Sequence, residues 1–437
     1  MTAIKKSFRR LIVSILTWEA RLVLKKYKPR IIGVTGNVGK TSTKDAIYSV
    51  LQHARRVRRS DKSYNNELGT PLTILGCPNA WCSPLGWLKN IFEGLSLILF
   101  SSQYPSHLVL EIGADRPGDI AHVIKWIKFD IVVLTCLPDI PVHLEYFDSV
   151  AQVAAEKLLL PQSVAAQGAV ILNCDDERSL KAVDSLKAKK VVGYGLGENA
   201  GVKAEKVALY YEGAGDRRFP AGLDCQLVTP RGEVDLRLPG LIGWHQLSSI
   251  LAAVAVGLVE NVRLEEMAEA LLSIEKAPGR MRLLPGIKDT LIIDDSYNAS
   301  PLAAAAALEA LGRVTVIGDR IAVLGDMMEL GNKTMEAHKE IGRALVLNAH
   351  ILITVGLRSK FIAEEAHRKK MGKRKMHHFD DAREAGIFLQ GLLKTGDIVL
   401  VKGSQSIRLE RAIEEIMLHP ENKTKLLCRQ EPEWQKR

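Results

Sequence analysis

The chain has 437 residues, 47% hydrophobic and 25% charged, a composition that excludes a fibrous or wholly disordered protein. At this length we expect two or three domains. A formal net charge of +10 favours an anionic partner such as a nucleotide, a sugar phosphate or a lipid surface. Few aromatic residues and no recognisable nucleic-acid motif argue against nucleic acid. Six cysteines without a C-x-x-C pair argue against a zinc ribbon and predict a cytoplasmic protein.

Residues 1–30 predict a basic amphipathic helix, and no apolar run in them approaches the roughly 18 residues that span a membrane. Two interpretations stay open. Residues 4–27 lie on an anionic membrane surface, which for a cytoplasmic protein is the inner surface of the membrane, or the helix packs on the first domain. The apolar stripe comprises Ile4, Phe8, Leu11, Ile12, Ile15, Trp18 and Leu22, and the basic side comprises Lys5, Lys6, Arg9, Arg10 and Arg21.

Residues 31–43, I-I-G-V-T-G-N-V-G-K-T-S-T, predict a phosphate-binding loop between a strand and a helix. Gly36 and Gly39 let backbone N–H groups approach an anion. Lys40 suits the β- and γ-phosphates, and the Thr41 hydroxyl suits Mg²⁺. Val34 replaces the glycine of the standard pattern, and a plain glycine turn with a solvated lysine is the alternative. The predicted ATP-binding residues here are Thr35, Gly36, Asn37, Val38, Gly39, Lys40, Thr41 and Ser42.

Two segments that follow the loop have open interpretations. Asn65 and Asn66 lie in a polar loop and are candidates to orient a substrate, although loop asparagines usually serve their own turn. Residues 85–100 are apolar at helical spacing and form either a core helix or a second patch that contacts lipid.

A buried strand at 107–111 ends on Glu111, which places a carboxylate at the edge where α/β proteins bind ligands. Beside a triphosphate this carboxylate would bind Mg²⁺. A second strand at 130–135 leads to a loop with His143 and Glu145, and a helix with Glu156 and Lys157 follows. A lone histidine in a loop is more often structural than catalytic. Only the residues around His143 make a catalytic role more probable.

The remaining pattern predicts an α/β protein with a P-loop-type central domain, a mostly parallel sheet, and a smaller Rossmann-like C-terminal α/β domain. Strands are expected at 169–176, 190–195, 290–294, 321–324, 351–355 and 398–401, with a β-rich excursion over 203–240. Residues 276–279, Lys-Ala-Pro-Gly, are the best hinge candidate. The predicted divisions are a helix at 1–30, a central domain at 31–276, a C-terminal domain at 277–419 and a poorly ordered polar tail at 420–437.

Nine motifs between about residues 31 and 415 resemble, in order, those of the Mur ligases. D-D-S-Y-N and L-G-D-M-x-E-L-G are the most discriminating. The motifs are T-G-N-V-G-K-T-S-T, Y-N-N-E-L-G-T-P, L-E-I-G-A-D-R-P-G-D-I, H-L-E-Y-F, A-A-E-K, G-R-M, D-D-S-Y-N-A-S-P, V-L-G-D-M-M-E-L-G and V-L-V-K-G-S.

The resemblance implies an ATP-dependent ligase that forms a C–N bond in peptidoglycan precursor synthesis, and hence a role in cell-wall biogenesis, cell shape and cell division. Within the family it is similar to the ligases that add D-alanyl-D-alanine to UDP-N-acetylmuramoyl-tripeptide through an acyl phosphate. The implied partners are a UDP-muramyl-peptide and D-alanyl-D-alanine, bound by a monomer without nucleic acid.

Carried over by motif, Thr41 and Glu111 would hold one Mg²⁺, His143 a second, and Lys157 would be a carbamate, which binds metal as an ammonium cannot. Arg280 would contact the γ-phosphate from across the hinge. The implied catalytic residues are Lys40, Glu111, His143, Lys157 and Arg280. Further ATP contacts fall on His245, Gln246, Arg280, Asp295 and Asn298, and substrate contacts on Asn65, Asn66 and Tyr297.

The chain also departs from the family pattern. The family has H-N-x-x-N where this chain has His245, Gln246 and then Ser249, and Asp115 and Arg116 replace a usual Asn-His pair. We expect the family's N-terminal uridine-diphosphate-binding domain to be absent. Two alternatives therefore remain: a Mur-type ligase acting on another carboxylate, such as a lipid-linked muramyl peptide, and a non-catalytic nucleotide-binding protein.

Overall fold

The computed structural model describes residues 3–60, 67–81, 83–188, 190–215 and 218–435. Its strands are β1 Arg30–Thr35, β2 Val57–Arg59, β3 His107–Glu111, β4 Ile131–Leu134, β5 Ala169–Asn173, β6 Lys190–Gly195, β7 Val202–Glu212, β8 Phe219–Thr229, β9 Gly232–Pro239, β10 Arg282–Gly286, β11 Thr290–Asp295, β12 Arg320–Gly325, β13 Ile351–Val355, β14 Met376–Phe379 and β15 Ile398–Lys402.

The helices surround two sheets. They are α1 Ala3–Tyr27, α2 Lys40–Gln52, α3 Gly69–Leu75, α4 Pro84–Leu99, α5 Asp119–Ile124, α6 Val150–Gln162, α7 Glu177–Lys181, α8 Trp244–Val259, α9 Leu264–Leu272, α10 Pro301–Arg313, α11 Thr334–Asn348, α12 Lys360–Arg368, α13 Ala382–Leu392, α14 Glu410–Ile416, α15 Lys423–Leu426 and α16 Pro432–Gln435.

The first sheet has the strand order β2-β3-β1-β4-β5-β6-β7-β8-β9. Strands β1 to β6 pair in parallel, whereas β7, β8 and β9 form antiparallel hairpins at one edge. The parallel strands are buried on both faces, which explains their continuous apolar sequences. Because β1 lies between β3 and β4, the chain order reverses beside its carboxyl end, where open α/β sheets bind ligands.

The second sheet has the order β10-β11-β15-β12-β13-β14 and is parallel except for β10. Asp295 at the end of β11 is in register with Lys402 at the end of β15. The α/β prediction and the predicted mostly parallel sheets are confirmed. The β-rich excursion is part of the first sheet, and the short strands β2, β10 and β14 were not predicted.

Helix α1 packs on α3 and α4. The buried side chains are Ile12, Leu16, Glu19, Ala20 and Val23, whereas Phe8, Leu11 and Trp18 are exposed. The helix thus packs on the first domain, as one of the two interpretations expects, through a second apolar row that shares Ile12 with the predicted stripe, and the membrane-surface interpretation stays a prediction. Within the part of the chain that the structure describes, no helix combines the length and apolar character needed to cross a membrane.

Two connecting segments have defined contacts. In the hinge candidate, Gly279 has φ +73° and Lys276 Nζ donates to the carbonyl of Pro239 at 2.6 Å. The expectation of a poorly ordered tail was wrong for residues 427–429, since Leu427, Cys428 and Arg429 are buried. An apolar and a paired charged side chain together fix this part of the tail, which its polar composition did not reveal.

Candidate functional site

A cavity of about 1850 Å³ lies between the carboxyl ends of the two sheets. The first sheet contributes Lys40, Thr41 and Glu111, and the second contributes Asp295 and Lys402. Parallel strands bring residues that are distant in sequence to one edge, so both sheets present their polar strand ends to the same space.

The phosphate loop joins β1 to α2 with two glycines in left-handed geometry, Gly36 at φ +132° and Gly39 at φ +83°. A Cβ on Gly36 would lie 2.0 Å from Thr135 Oγ1, so only glycine fits there. The buried atoms Thr35 Oγ1 and Asn37 Nδ2 have no hydrogen-bond partner among the described residues. Unsatisfied buried polar groups are costly, and phosphate oxygens could satisfy them. The loop therefore fits a nucleotide phosphate.

Lys40 opens α2 and folds back over this loop. Its Nζ donates to the carbonyls of Gly36 at 2.9 Å and Asn37 at 3.3 Å. Removal from water lowers the pKa of Lys40, while the Glu111 carboxylate opposes that shift. The lysine thus occupies the position where an anion would replace its carbonyl contacts.

Thr41 is the meeting point of the two halves of the site. Its hydroxyl donates to Glu111 Oε2 at 2.9 Å, and Arg280 Nη2 donates to Thr41 Oγ1 at 3.2 Å. The Arg280 guanidinium also lies over the ring of Tyr297, 4.2 Å from its centroid. A hydroxyl beside a carboxylate suits Mg²⁺, which takes few protein ligands and completes its shell with phosphates and water.

Lys157 lies on α6 and is 1% exposed. Burial and, to a smaller extent, nearby Lys40 lower the pKa of Lys157 to about 7, while Asp115 opposes the shift. A buried lysine that readily loses its proton is a nucleophile. The preceding residue, Glu156, has a structural role, because it accepts from the backbone N–H groups of Gly118 and Ile120 at 3.0 and 2.8 Å.

His143 connects the two halves at a second point. Its Nδ1 lies 2.7 Å from Glu329 Oε2, and its Nε2 lies 3.4 Å from Asp115 Oδ1. His143 and Glu329 have φ values of +66° and +64°, which are uncommon for residues other than glycine and often mark functional sites. The contact with His143 holds the pKa of Glu329 below its usual range. Among the described residues no three His, Cys, Asp or Glu side chains form a metal-binding group.

The D-D-S-Y-N segment carries two aspartates with different partners. Asp295 accepts from Lys402 Nζ at 2.6 Å and from the backbone N–H of Met281 at 3.2 Å. Asp294 accepts from Ser296 Oγ at 2.6 Å and from the Gly279 N–H at 3.0 Å. Burial raises the pKa of Asp294 to about 6. Both aspartates therefore hold the segment after the hinge candidate to β11.

The remaining predicted residues divide into two groups. His245, Gln246, Tyr297 and Asn298 line the cavity, as do Asn37, Val38, Gly39 and Ser42. Gln246 also accepts from the Ile242 and Gly243 N–H groups at the start of α8, and surrounding protein lowers the pKa of His245 to about 4. The positions of Asn65 and Asn66 lie outside the described residues.

Sequence reasoning missed Lys402, Glu329 and Arg429 as residues of the site region. Lys402 and Glu329 stand inside quoted motifs, V-L-V-K-G-S and V-L-G-D-M-M-E-L-G, so a signal existed for both. Arg429 donates to the carbonyls of Ser296 and Tyr297 at 2.6 and 2.8 Å. It stands in no motif, and only the fold brings it there.

Two protein-family models match the chain, one in each half of the site. The family model described as "Mur ligase middle domain" matches residues 88–257, and "Mur ligase, glutamate ligase domain" matches residues 279–405. A solved structure with a similar fold is the MurF ligase from Thermotoga maritima in complex with ADP, with a TM-score of 0.74 and 26% identity, covering 92% of this chain and 83% of that one.

Sequence relatives agree with the family models. A UDP-N-acetylmuramoyl-tripeptide--D-alanyl-D-alanine ligase from Mycobacterium tuberculosis (strain H37Rv) is 31% identical over 405 residues, covering 87% of this chain and 71% of the relative. A ligase of the same name from Bacillus subtilis (strain 168) is 28% identical over 404 residues, covering 92% of this chain and 79% of that relative. This chain therefore belongs to the Mur ligase family.

Proposed function

We propose that this protein is an ATP-dependent ligase that joins D-alanyl-D-alanine to UDP-N-acetylmuramoyl-tripeptide. The observation that carries the proposal is the contact of Arg280 with Thr41, 3.2 Å across the cavity. It joins a phosphate loop on one sheet to a cation from the other, as phosphoryl transfer requires. The substrates are those in the names of the M. tuberculosis and B. subtilis relatives.

The reaction has two steps. A carboxylate oxygen of the tripeptide attacks the γ-phosphorus of ATP, which forms an acyl phosphate and releases ADP. The amine of the dipeptide then attacks the acyl carbon, inorganic phosphate leaves, and the amine loses a proton. Lys40 and Arg280 would stabilise negative charge on the transferred group, and the loop N–H groups would hold the β- and γ-phosphates.

Mg²⁺ supplies charge neutralisation at the phosphates when bound. Thr41 and Glu111 would hold one ion, and His143 with Lys157 a second. A carbamate on Lys157 would require a neutral amine that attacks carbon dioxide, and burial beside Lys40 favours that neutral form. The resulting anion would also offset the Lys40 charge, which gives a physical reason for the modification.

Closure of one half on the other would control the reaction. We place the boundary near residues 276–279, with a central domain at 31–276 and a C-terminal domain at 277–419. Arg280 and Asp295 then enter the site from the second domain. Because one chain provides both halves, we propose a monomer, which works in the cytoplasm where ATP is available.

The test is release of inorganic phosphate by the purified full chain with ATP and Mg²⁺ in a matrix of acceptors and amines. Release that requires both UDP-N-acetylmuramoyl-tripeptide and D-alanyl-D-alanine is expected, together with a product of the combined mass minus water. Release only with a lipid-linked muramyl peptide would replace the proposed acceptor. Absence of release in every arm, with ADP still bound, would favour the non-catalytic alternative.

The carbamate proposed on Lys157 can be tested by a separate measurement. With ¹³C-labelled bicarbonate, a carbamate should give a carbon signal in NMR spectra of the wild-type protein that is missing in Lys157→Ala. The matched control is Lys181→Ala, since Lys181 is exposed and paired with Glu177. A wild-type spectrum identical to that of Lys157→Ala would contradict the carbamate while leaving the ligase proposal standing.

A further inference from the structure

Helix α1 carries an apolar stripe that contacts no core. Phe8, Leu11 and Trp18 are 47%, 57% and 54% exposed, and Ile15 and Leu22 are half-buried. These five residues follow each other at intervals of three or four, so they lie on one side of the helix. A separate row, which includes Leu16 and Val23, already packs α1 on the protein.

Helix α4 repeats this arrangement. Leu85, Leu88, Phe92 and Leu99 are 79%, 49%, 61% and 71% exposed, and Leu95 lies between them at the same spacing. The opposite side of α4 is buried through Trp87, Asn90 and Gly94. Each helix thus has one apolar side for the core and a second for something outside it.

Helices α1 and α4, which carry the two stripes, pack side by side. A Cβ on Gly94 would lie 2.2 Å from Glu19 Oε2, and Lys26 Nζ donates to the carbonyls of Leu97 and Phe100 at 2.9 and 2.6 Å. Glu19 and Lys26 stand four residues after Ile15 and Leu22, so the stripe of α1 borders its contact with α4. The exposed stripes of these two neighbouring helices are together called the α1–α4 surface here, and repeated apolar exposure of this kind is typical of an interaction site.

Positive charge surrounds this surface. The first 30 residues contain nine lysines and arginines and a single acidic residue, Glu19, which is fully buried. Arg10, Arg21, Lys25 and Lys26 are exposed on α1, so α1 provides most of this charge, whereas Lys89 on α4 is exposed and pairs with Glu93. An apolar stripe with aromatic residues and a basic border is the pattern of helices that lie in a membrane interface.

We propose that the α1–α4 surface binds an anionic lipid bilayer, with the apolar side chains entering the interface and the basic side chains contacting lipid phosphates. A second copy of the chain is a poorer occupant, since a symmetric contact would set this positive cluster against itself. The inference is independent of the proposed reaction, because none of these residues lines the cavity between the sheets.

The experiment is sedimentation of the full chain with vesicles of phosphatidylcholine alone or of phosphatidylcholine mixed with phosphatidylglycerol. We expect binding to the mixed vesicles only, reduced by added salt because salt screens surface charge. The variant Trp18→Ser/Phe92→Ser, with one change on each helix, should lower binding at least about tenfold. Its matched control, Leu347→Ser/Leu357→Ser, changes leucines that are 81% and 74% exposed elsewhere and should bind normally.

A second pair tests the charges. Arg10→Glu/Lys25→Glu should lose binding to the mixed vesicles, whereas Lys373→Glu/Arg374→Glu, which changes exposed residues between α12 and β14, should keep it. All four variants should retain phosphate release without vesicles. Equal binding of wild type and Trp18→Ser/Phe92→Ser would overturn the proposal. So would a dimer in light scattering that this variant dissociates while vesicles sediment no protein.

Discussion

The two strand edges that meet at the cavity differ in how their buried polar groups are satisfied. At the end of β1 the phosphate loop leaves Thr35 Oγ1 and Asn37 Nδ2 without partners among the described residues. At the end of β11 the charge of Asp295 is matched by Lys402 at 2.6 Å. The first edge leaves buried polar atoms unsatisfied, whereas the charge of Asp295 at the second is already paired.

This difference predicts a different role for each half of the site. An edge with unsatisfied polar atoms gains most when a phosphate arrives, because the cost of leaving them buried is then removed. A neutral, hydrogen-bonded edge gains less from an anion but holds its backbone in place. We therefore expect changes at the first edge to affect chemistry, and changes at the second to affect stability and the position of Arg280.

The strongest test of the first edge is Lys157→Ala. Phosphate release should fall by about 100-fold or more, because a charged group in the water-excluded site is lost. ADP binding, measured by titration calorimetry, should stay largely intact since the loop backbone is unchanged. Lys181→Ala should behave as wild type. Normal turnover by Lys157→Ala would mean that this lysine has no catalytic role.

The link between the edges is tested by Arg280→Ala. Loss of the contacts with Thr41 and Tyr297 should lower kcat/KM by about 100-fold, as removal of one transition-state hydrogen-bond donor does. Arg282→Ala, two residues along on β10, is the control and should keep activity, because Arg282 donates to the carbonyl of Leu426 instead. Equal losses in both variants would point to misfolding of β10.

The second edge should respond in stability. Arg429 is buried with Glu410 at 2.8 Å, and Arg408 pairs with the other oxygen of the same carboxylate. Arg429→Ala therefore removes one of two charged partners of Glu410, at a cost of about 2 kcal/mol. We expect a lower midpoint in thermal unfolding and a raised KM for ATP. Lys425→Ala, an exposed change in the same tail, should alter neither. An unchanged midpoint in Arg429→Ala would show that the tail does not support this edge.

The smallest effect is expected for Glu329→Gln, which weakens the contact with His143. We expect kcat/KM to fall by up to about fivefold, since a partly exposed contact between ionisable side chains contributes at most about 1 kcal/mol. The pKa of Glu329 is held below its ordinary 4.5, so the carboxylate's contribution is present above that pH and is lost as pH falls through the lowered value. The ratio of wild-type to variant kcat/KM should therefore fall towards 1 as pH falls through that lowered value. Glu336→Gln is the control.

How much of the site could be predicted from the sequence depended on how far apart in the chain the interacting residues lie. The phosphate loop is written in consecutive residues, so Gly36, Lys40 and Thr41 were predictable from spacing alone. The contacts Thr41–Arg280 and His143–Glu329 join residues far apart in the chain, and no local pattern specifies their distances. The resemblance named Arg280 but not Glu329.

Helix α1 shows the opposite limit. Its amphipathic pattern was predicted, but the side that packs on the protein was left open, and the structure buries Leu16, Ala20 and Val23. A helix with two apolar sides has an ambiguous pattern, and only its neighbours decide which side is core. The prediction of a poorly ordered tail failed for a related reason. From the sequence, Arg429 has the character of a solvated residue, and only the fold shows its partner Glu410.

The position of Arg429 also bears on how the protein is made. Ser296 and Tyr297 accept hydrogen bonds from a residue more than 130 positions later in the chain. During synthesis the D-D-S-Y-N segment leaves the ribosome well before the arginine that secures it exists. The second edge is thus completed only once residue 429 has been made, and shortened chains that end before this residue should hold ATP less tightly than the chain that contains it.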